Sequence, residues 1–186
     1  MAFTVCAFII FLICGMDFTG AVNHALSTVS AGGFSTYNES AAYFDDVYVE
    51  GWMTFFMVLA GGNFGLYYRA YHKGAAVLLK DTEFKAYLSI LVVAAIIIIG
   101  DLMVELDSDF FTALRYAAFQ TASIATTGFV SADYDRWPVL SKFLLMGLMI
   151  CGGCAGSTAA GLKISRVVIL FRSVRSTVLH LLYPKH

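Results

Sequence analysis

Long apolar runs alternate along this chain with short polar stretches rich in glycine and hydroxyls. The apolar runs are Ala2 to Gly15, Val47 to Tyr68, Phe84 to Val104, and Val139 to Ile150 continued by Leu162 to Val174. A helix needs about 20 apolar residues to cross a bilayer, so Ala2 to Gly15 falls short. The expectation is that the chain starts inside a helix of a longer protein. Between the first two runs stands His24 to Phe34, His-Ala-Leu-Ser-Thr-Val-Ser-Ala-Gly-Gly-Phe, followed by Ser35 and Thr36. Asp17 suits the positive end of a short helix over Asp17 to Ser27. The loop after it, Thr28 to Gly33, lies between membrane-like segments, where irregular backbone survives only under cover of protein or a water-filled cavity. Glycine permits the positive φ angles that turn successive carbonyls to one side. The pattern predicts a re-entrant segment offering carbonyl oxygens to a cation. Taken alone, the stretch also fits a Gly-Ser loop outside the membrane.

The pattern recurs. Phe119 to Phe129 reads Phe-Gln-Thr-Ala-Ser-Ile-Ala-Thr-Thr-Gly-Phe, with Asp109 ahead of a predicted short helix Asp109 to Ser123. Each copy has an apolar run before it and another after it that ends in a basic residue, Arg69 or Lys163. The predicted fold is therefore an all-α integral membrane protein with two tandem helix, pore helix, filter loop, helix repeats. Its units are 1–72, a cytoplasmic linker 73–83, and 84–180. Such duplications are usual in channels and transporters.

The last span does not run cleanly. Gly152 to Gly161 interrupts it, and each glycine in a helix costs about 1 kcal/mol against alanine. A span ending at Ile150 would be too short to cross, so 152–161 is predicted as a mobile intramembrane loop below the filter; a turn at the cytoplasmic surface is the alternative. Gly61-Gly62-Asn63 interrupts the second span in the same manner, with Asn63 expected in an interhelical hydrogen bond. Asp101 and Glu105 read as solvated helix-end acids, one of them a partner for Arg115. Trp137-Pro138 fits an interfacial aromatic followed by a helix start.

Composition agrees. Of 186 residues 59% are hydrophobic and 13% charged, against about a quarter charged in soluble domains, which excludes a soluble globular class. The net charge of −1 conceals a sorting of signs. Acids such as Asp17, Asp45, Asp46, Glu50, Asp109 and Asp133 cluster near the two predicted loops. Arg69, Lys73, Lys80, Lys85, Lys163, Arg166, Arg172, Arg175 and Lys185 cluster at the opposite ends of the runs. The positive-inside rule puts 69–85 and 163–186 in the cytoplasm and opens both filters outward, beneath an acidic vestibule that concentrates cations. Cys151 and Cys154 form a Cys-Gly-Gly-Cys, but without histidine partners and within a glycine-rich membrane stretch it does not read as a redox or metal pair. The N-terminus lacks the basic flank and cleavage site of a signal peptide.

Three motifs together resemble the TrkH/KtrB superfamily of bacterial potassium uptake proteins, built from four membrane helix, pore helix, membrane helix repeats. They are Asn23 to Thr36; Gly128-Phe129 with Ala132-Asp133-Tyr134 and Trp137-Pro138; and Gly152 to Thr158 with Gly161-Leu162-Lys163. The order is the family's, and the chain is similar to the middle two repeats. The resemblance implies potassium as the transported ion, held by backbone carbonyls of Ser30, Ala31, Gly32 and Gly33 and of Ala125, Thr126, Thr127 and Gly128. It implies a gate formed by Gly152, Gly153, Ala155, Gly156, Ser157, Thr158 and Gly161. It implies a multi-pass protein of the bacterial plasma (inner) membrane, no cofactor and no nucleic acid. Implied partners are the missing repeats, a second copy in a homodimer, and a cytoplasmic ring of nucleotide-binding regulatory subunits near Lys163 and Arg166. Ala31 stands where the family often has threonine, Ala159-Ala160 replace glycines, and the second filter is about one residue short. Two other classes remain: a non-conducting or sodium-permeable membrane subunit, and a polytopic membrane enzyme. The enzyme is disfavoured because His24, His72, His180 and His186 are scattered and the acids sit at helix ends.

Overall fold

The computed structural model describes residues 1–182, all of whose regular elements are helical apart from an isolated bridge between Cys151 and Leu162. Lys185, expected in the cytoplasmic basic cluster, lies outside the described residues. The helices are α1 (Ala2–Ile13), α2 (Phe18–Ser30), α3 (Val47–Ala60), α4 (Phe64–Lys73), α5 (Ala76–Lys80), α6 (Thr82–Glu105), α7 (Phe110–Thr126), α8 (Val139–Ile150) and α9 (Ile164–Leu182). Among the described residues, α6 alone is long and apolar enough to cross a membrane unaided; its 24 residues reach about 36 Å.

Short polar side chains start most of these helices. Asp17, Asp46, Asn63, Asp81 and Asp109 each accept a backbone N–H from the first turn of α2, α3, α4, α6 and α7, and each such cap is worth about 1 kcal/mol. Asn63 thus caps α4 through Leu66 N–H at 3.2 Å, in place of the expected interhelical bond. The break at Gly61-Gly62 exposes a fresh helix start, and its nearest acceptor is the Asn63 side chain.

Helices α1, α2 and α3 pack together, α6 packs on α7 and α8, and α7 also lies along α3. The first core joins Phe11, Met53, Phe56 and Met57 to Phe119, Ala122 and Phe129, the last three from α7 and the turn after it. The second gathers Ala94, Ile98, Leu102, Ala113, Ala117, Leu145 and Leu148 around Trp137. Trp137 is buried in this cluster, packed among residues of α6, α7 and α8. Asp101 is likewise no solvated helix end. It accepts the backbone N–H of Ser141 at 3.0 Å and the Ser141 hydroxyl, supplying the cap that Pro138, at the start of α8, has no side chain to provide.

Arg115 departs from expectation too. Its guanidinium bridges the two halves, meeting Glu50 of α3 at 2.7 Å and Asp45 at 2.9 Å, not an acid of α6. The cause is the packing of α7 on α3, which turns Arg115 toward the first half. Glu50 is 2% exposed as a side chain and Asp45 81% exposed, so the two contacts differ in weight. Removing Glu50 breaks a pair whose carboxylate is buried and leaves the half-buried Arg115 only its exposed partner, whereas Asp45 contributes as a surface pair. Glu50→Ala should therefore destabilise the full-length protein by about 3 kcal/mol, and Asp45→Ala by less than about 1 kcal/mol. Thermal unfolding in detergent checks the order; equal effects would contradict it.

Candidate functional site

The two predicted filter stretches lie at the C-terminal ends of α2 and α7. Both helices run further than expected, to Ser30 where Ser27 was the expected end and to Thr126 where Ser123 was. Ala125 and Thr126, expected in the loop, consequently form the last helical turn. In α7 the hydroxyls bond within the helix: Thr121 donates to the Ala117 carbonyl and Thr126 to that of Ala122, both four residues back.

The helix ends match in one respect and differ in another. Gly32 N–H returns to the Ser27 carbonyl at 2.8 Å, and Gly128 N–H to the Ser123 carbonyl at 2.8 Å. Gly32 therefore corresponds to Gly128, and Gly33 is the extra residue of the first turn. That turn takes two left-handed residues, Ala31 at φ 57° and Gly33 at φ 71°; the second takes one, Gly128 at φ 91°. Alanine at Ala31 carries the strain that glycine would avoid. The second turn is also held from behind, where Ser123 Oγ donates to the Phe129 carbonyl at 2.6 Å.

The two turns touch. A Cβ placed on Gly33 would lie 2.3 Å from the carbonyl oxygen of Thr127. Behind them His24 is buried, with Nδ1 2.8 Å from the Gly20 carbonyl and Nε2 3.0 Å from Ser35 Oγ. Because a carbonyl only accepts, Nδ1 carries a proton. The imidazole also stacks on Phe129 at 5.7 Å, so one side chain fixes the exit of the first turn against that of the second. Sequence reading assigned His24 no role, since its partners come from Ser35 and Phe129. Further out, Tyr37 donates to Asp17 at 2.7 Å. That bond, with the Gly20 N–H, holds the Asp17 carboxyl below its ordinary range. Its stabilising effect is present above the ordinary carboxylate pKa and lost as pH falls through the lowered value.

The carbonyl oxygens of Ser30, Ala31, Gly32, Gly33, Ala125, Thr126, Thr127 and Gly128 accept no hydrogen bond from any group among the described residues. Backbone oxygens normally find donors. Eight together without one, at the ends of two adjoining helices, leave acceptors suited to a cation: each helix also turns the negative end of its dipole this way.

Directly next to these turns lies 151–163, the loop that separates α8 from α9. Its two limbs are stitched together: Gly152 N–H donates to the Leu162 carbonyl, Leu162 N–H to that of Ile150, and Ile164 N–H to that of Gly153. The limbs approach so closely that a Cβ on Gly152 would overlap the Ala160 carbonyl. Gly156 and Gly161 take left-handed angles. The loop sits on the other break, with Cys154 N–H donating to the Gly61 carbonyl at 2.8 Å and Thr158 Oγ1 to that of Ala60 at 3.3 Å. Thr158 Oγ1 also donates to the Val29 carbonyl at 2.9 Å, in the last turn of α2. Gly153, Ala155 and Ser157 complete this layer. Lys163, expected on a partner-facing surface, instead turns its ammonium into the loop, onto the carbonyls of Ala159 and Ser157. Arg166 is exposed.

Two helix breaks thus pack against two helix-end turns in an all-helical fold. The family description "Cation transport protein" (TrkH) matches residues 10–107 and 88–186, and the chain belongs to the TrkH family. A membrane location follows from that membership. The Trk system potassium uptake protein TrkH of Halomonas elongata is 35% identical over 185 residues, covering 97% of this chain and 38% of the relative. The TrkH of Escherichia coli K12 is 33% identical, covering 91% of this chain and 36% of its own length. The crystal structure of the potassium transporter TrkH from Vibrio parahaemolyticus superposes with a TM-score of 0.94 at 30% identity, over 100% of this chain and 41% of that one. This chain thus spans about two-fifths of the length of those relatives.

The contact between the turns gives a prediction. Gly33→Ala meets both a left-handed φ and the Thr127 carbonyl, whereas Gly128→Ala meets a left-handed φ and open space. Gly33→Ala should therefore lower the unfolding temperature more than Gly128→Ala, which costs about 1–2 kcal/mol of backbone strain. Thermal unfolding in detergent checks the order, and a milder Gly33→Ala would contradict it.

Proposed function

We propose that this chain forms two adjacent quarters of a potassium-conducting pore. The observation that carries the reading is the set of eight unbonded carbonyls on two touching turns at the C-terminal ends of α2 and α7. In this reading α1–α2–α3 and α6–α7–α8 are tandem membrane helix, pore helix, membrane helix repeats, with both filters facing outward. Carbonyls replace the water around a dehydrated monovalent cation. Two quarters cannot enclose an ion, so the pore is completed by further repeats, and relatives named for potassium uptake support potassium as the ion.

Residues 152–161 act as the gate. The support is position: Thr158 reaches the last turn of α2, and the loop's limbs are held by hydrogen bonds that a modest movement can break. The cytoplasmic side, with exposed Arg166, faces nucleotide-binding regulatory subunits, and the complete protein works as a homodimer in the inner membrane. Lys163 serves within the loop. The shorter second turn favours a second reading, in which sodium also passes, because that turn lacks a counterpart of Gly33 and its carbonyls sit in a different register from those of the first.

Deleting residues 155–159 from the full-length protein should raise potassium flux into proteoliposomes several-fold, by analogy with removing a plug from a formed pore. Gly32→Asp should abolish flux while membrane insertion stays intact. Unchanged flux after the deletion would contradict the gate, and normal flux in Gly32→Asp would contradict the filter. Competition of sodium with rubidium uptake separates the two ion readings.

A further inference from the structure

Glu83 stands in the first turn of α6, and neither filter nor pore explains why a carboxylate is placed there. One of its oxygens, Oε1, accepts two main-chain N–H groups: Ala155 at 2.6 Å and Ser165 at 3.1 Å. Ala155 belongs to the outgoing limb of the loop, and Ser165 to the first turn of α9, where the returning limb ends. A single anion therefore pins both limbs. It also satisfies an otherwise orphan donor at the start of α9, where a negative charge suits the helix dipole. Immediately before Glu83, Asp81 caps α6 through the Phe84 N–H at 2.9 Å, and α5 of the connecting stretch packs on α6. Asp81 thereby ties the connecting stretch to the start of α6, and Glu83, two residues on, ties the start of α6 to the loop.

We propose that Glu83 is the latch that holds the intramembrane loop closed, and that displacement of the connecting stretch 74–81 releases it. This rests on the reading of the loop as a gate. Glu83 touches no ion; it acts as a positioning residue through the backbone of Ala155 and Ser165. A force on α5 or its exposed flanks tilts the first turn of α6. The carboxylate then leaves both N–H groups together, and the limbs lose their common anchor. Among the described residues, no other side chain bonds to both limbs at 155 and 165. Release at Glu83 is consequently not backed up elsewhere at those two points.

The test uses the full-length protein in proteoliposomes, with Cys154 as the one remaining cysteine. Cys154 is fully buried in the closed loop, so its alkylation rate by a membrane-permeant maleimide reports loop opening independently of flux. Glu83→Ala should raise both potassium flux and Cys154 alkylation by about tenfold or more, the population shift expected from losing both charge-assisted hydrogen bonds at once. Glu83→Asp, whose shorter side chain retains the charge, should lie between the two. In the background lacking 155–159, where Cys154 persists but Ala155 is gone, Glu83→Ala should add nothing to flux. Should Glu83→Ala fail to reach the membrane, Glu83→Gln is read by the same two measurements with the same expected direction. Raised flux on loop deletion, with flux and alkylation unchanged in Glu83→Ala or Glu83→Gln, overturns the latch and leaves the gate standing. Lower flux with unchanged alkylation overturns the latch as well. No effect of the loop deletion removes the gate reading, and the latch with it.

Discussion

The carbonyl oxygen of Thr127 lies where a side chain on Gly33 would have to be. That close approach is what permits two helix ends from different parts of the chain to share one surface. Around it the packing falls into place: α7 lies on α3, Arg115 bridges to Glu50, and His24 reaches from the Gly20 carbonyl to Ser35 while stacking on Phe129. Each contact crosses between the halves or ties a turn to the helix before it. His24 and Ser123 bond main-chain carbonyls behind the turns, and the oxygens in front are left open.

The same logic runs through the two breaks. Interrupting a membrane helix strands carbonyls at one end and N–H groups at the other. Here the stranded groups of one break serve the other. The Gly61 carbonyl accepts from Cys154, the Leu59 carbonyl from the Tyr67 hydroxyl, and the Val58 carbonyl from the Tyr87 hydroxyl. Asn63 and Glu83 supply the acceptors for the helix starts that follow. Irregular backbone can survive at membrane depth on these terms, because protein donors and acceptors replace the water that is absent.

Much of this was legible in the order of residues. The apolar runs, the acidic helix starts, the paired Gly-Phe turns and the glycine-rich break in the last span all follow from period, length and composition. The end of α7 was misjudged because threonine hydroxyls, read as loop formers, instead bond four residues back along the helix, and α2 runs on to Ser30 past the polar residues read as its end. Arg115 and Asp101 were misplaced for another reason: their partners are fixed by how α3, α6, α7 and α8 pack, which no local pattern encodes. Glu83 and His24 carried no signal at all, since one acts on backbone 72 and 82 residues away and the other on an aromatic ring beyond the second turn. The equivalence of Gly32 with Gly128, and with it the extra Gly33, rests on where the two N–H groups return along their helices, which no local pattern encodes.

The central claim is that the unbonded oxygens of the two touching turns coordinate a dehydrated monovalent cation. Anomalous diffraction from crystals of the full-length protein grown in rubidium or thallium tests it most directly. The account predicts a peak within coordinating distance of main-chain oxygens from both Ala31–Gly33 and Thr126–Gly128. A cation bound elsewhere, with both turns bare of density, would contradict it.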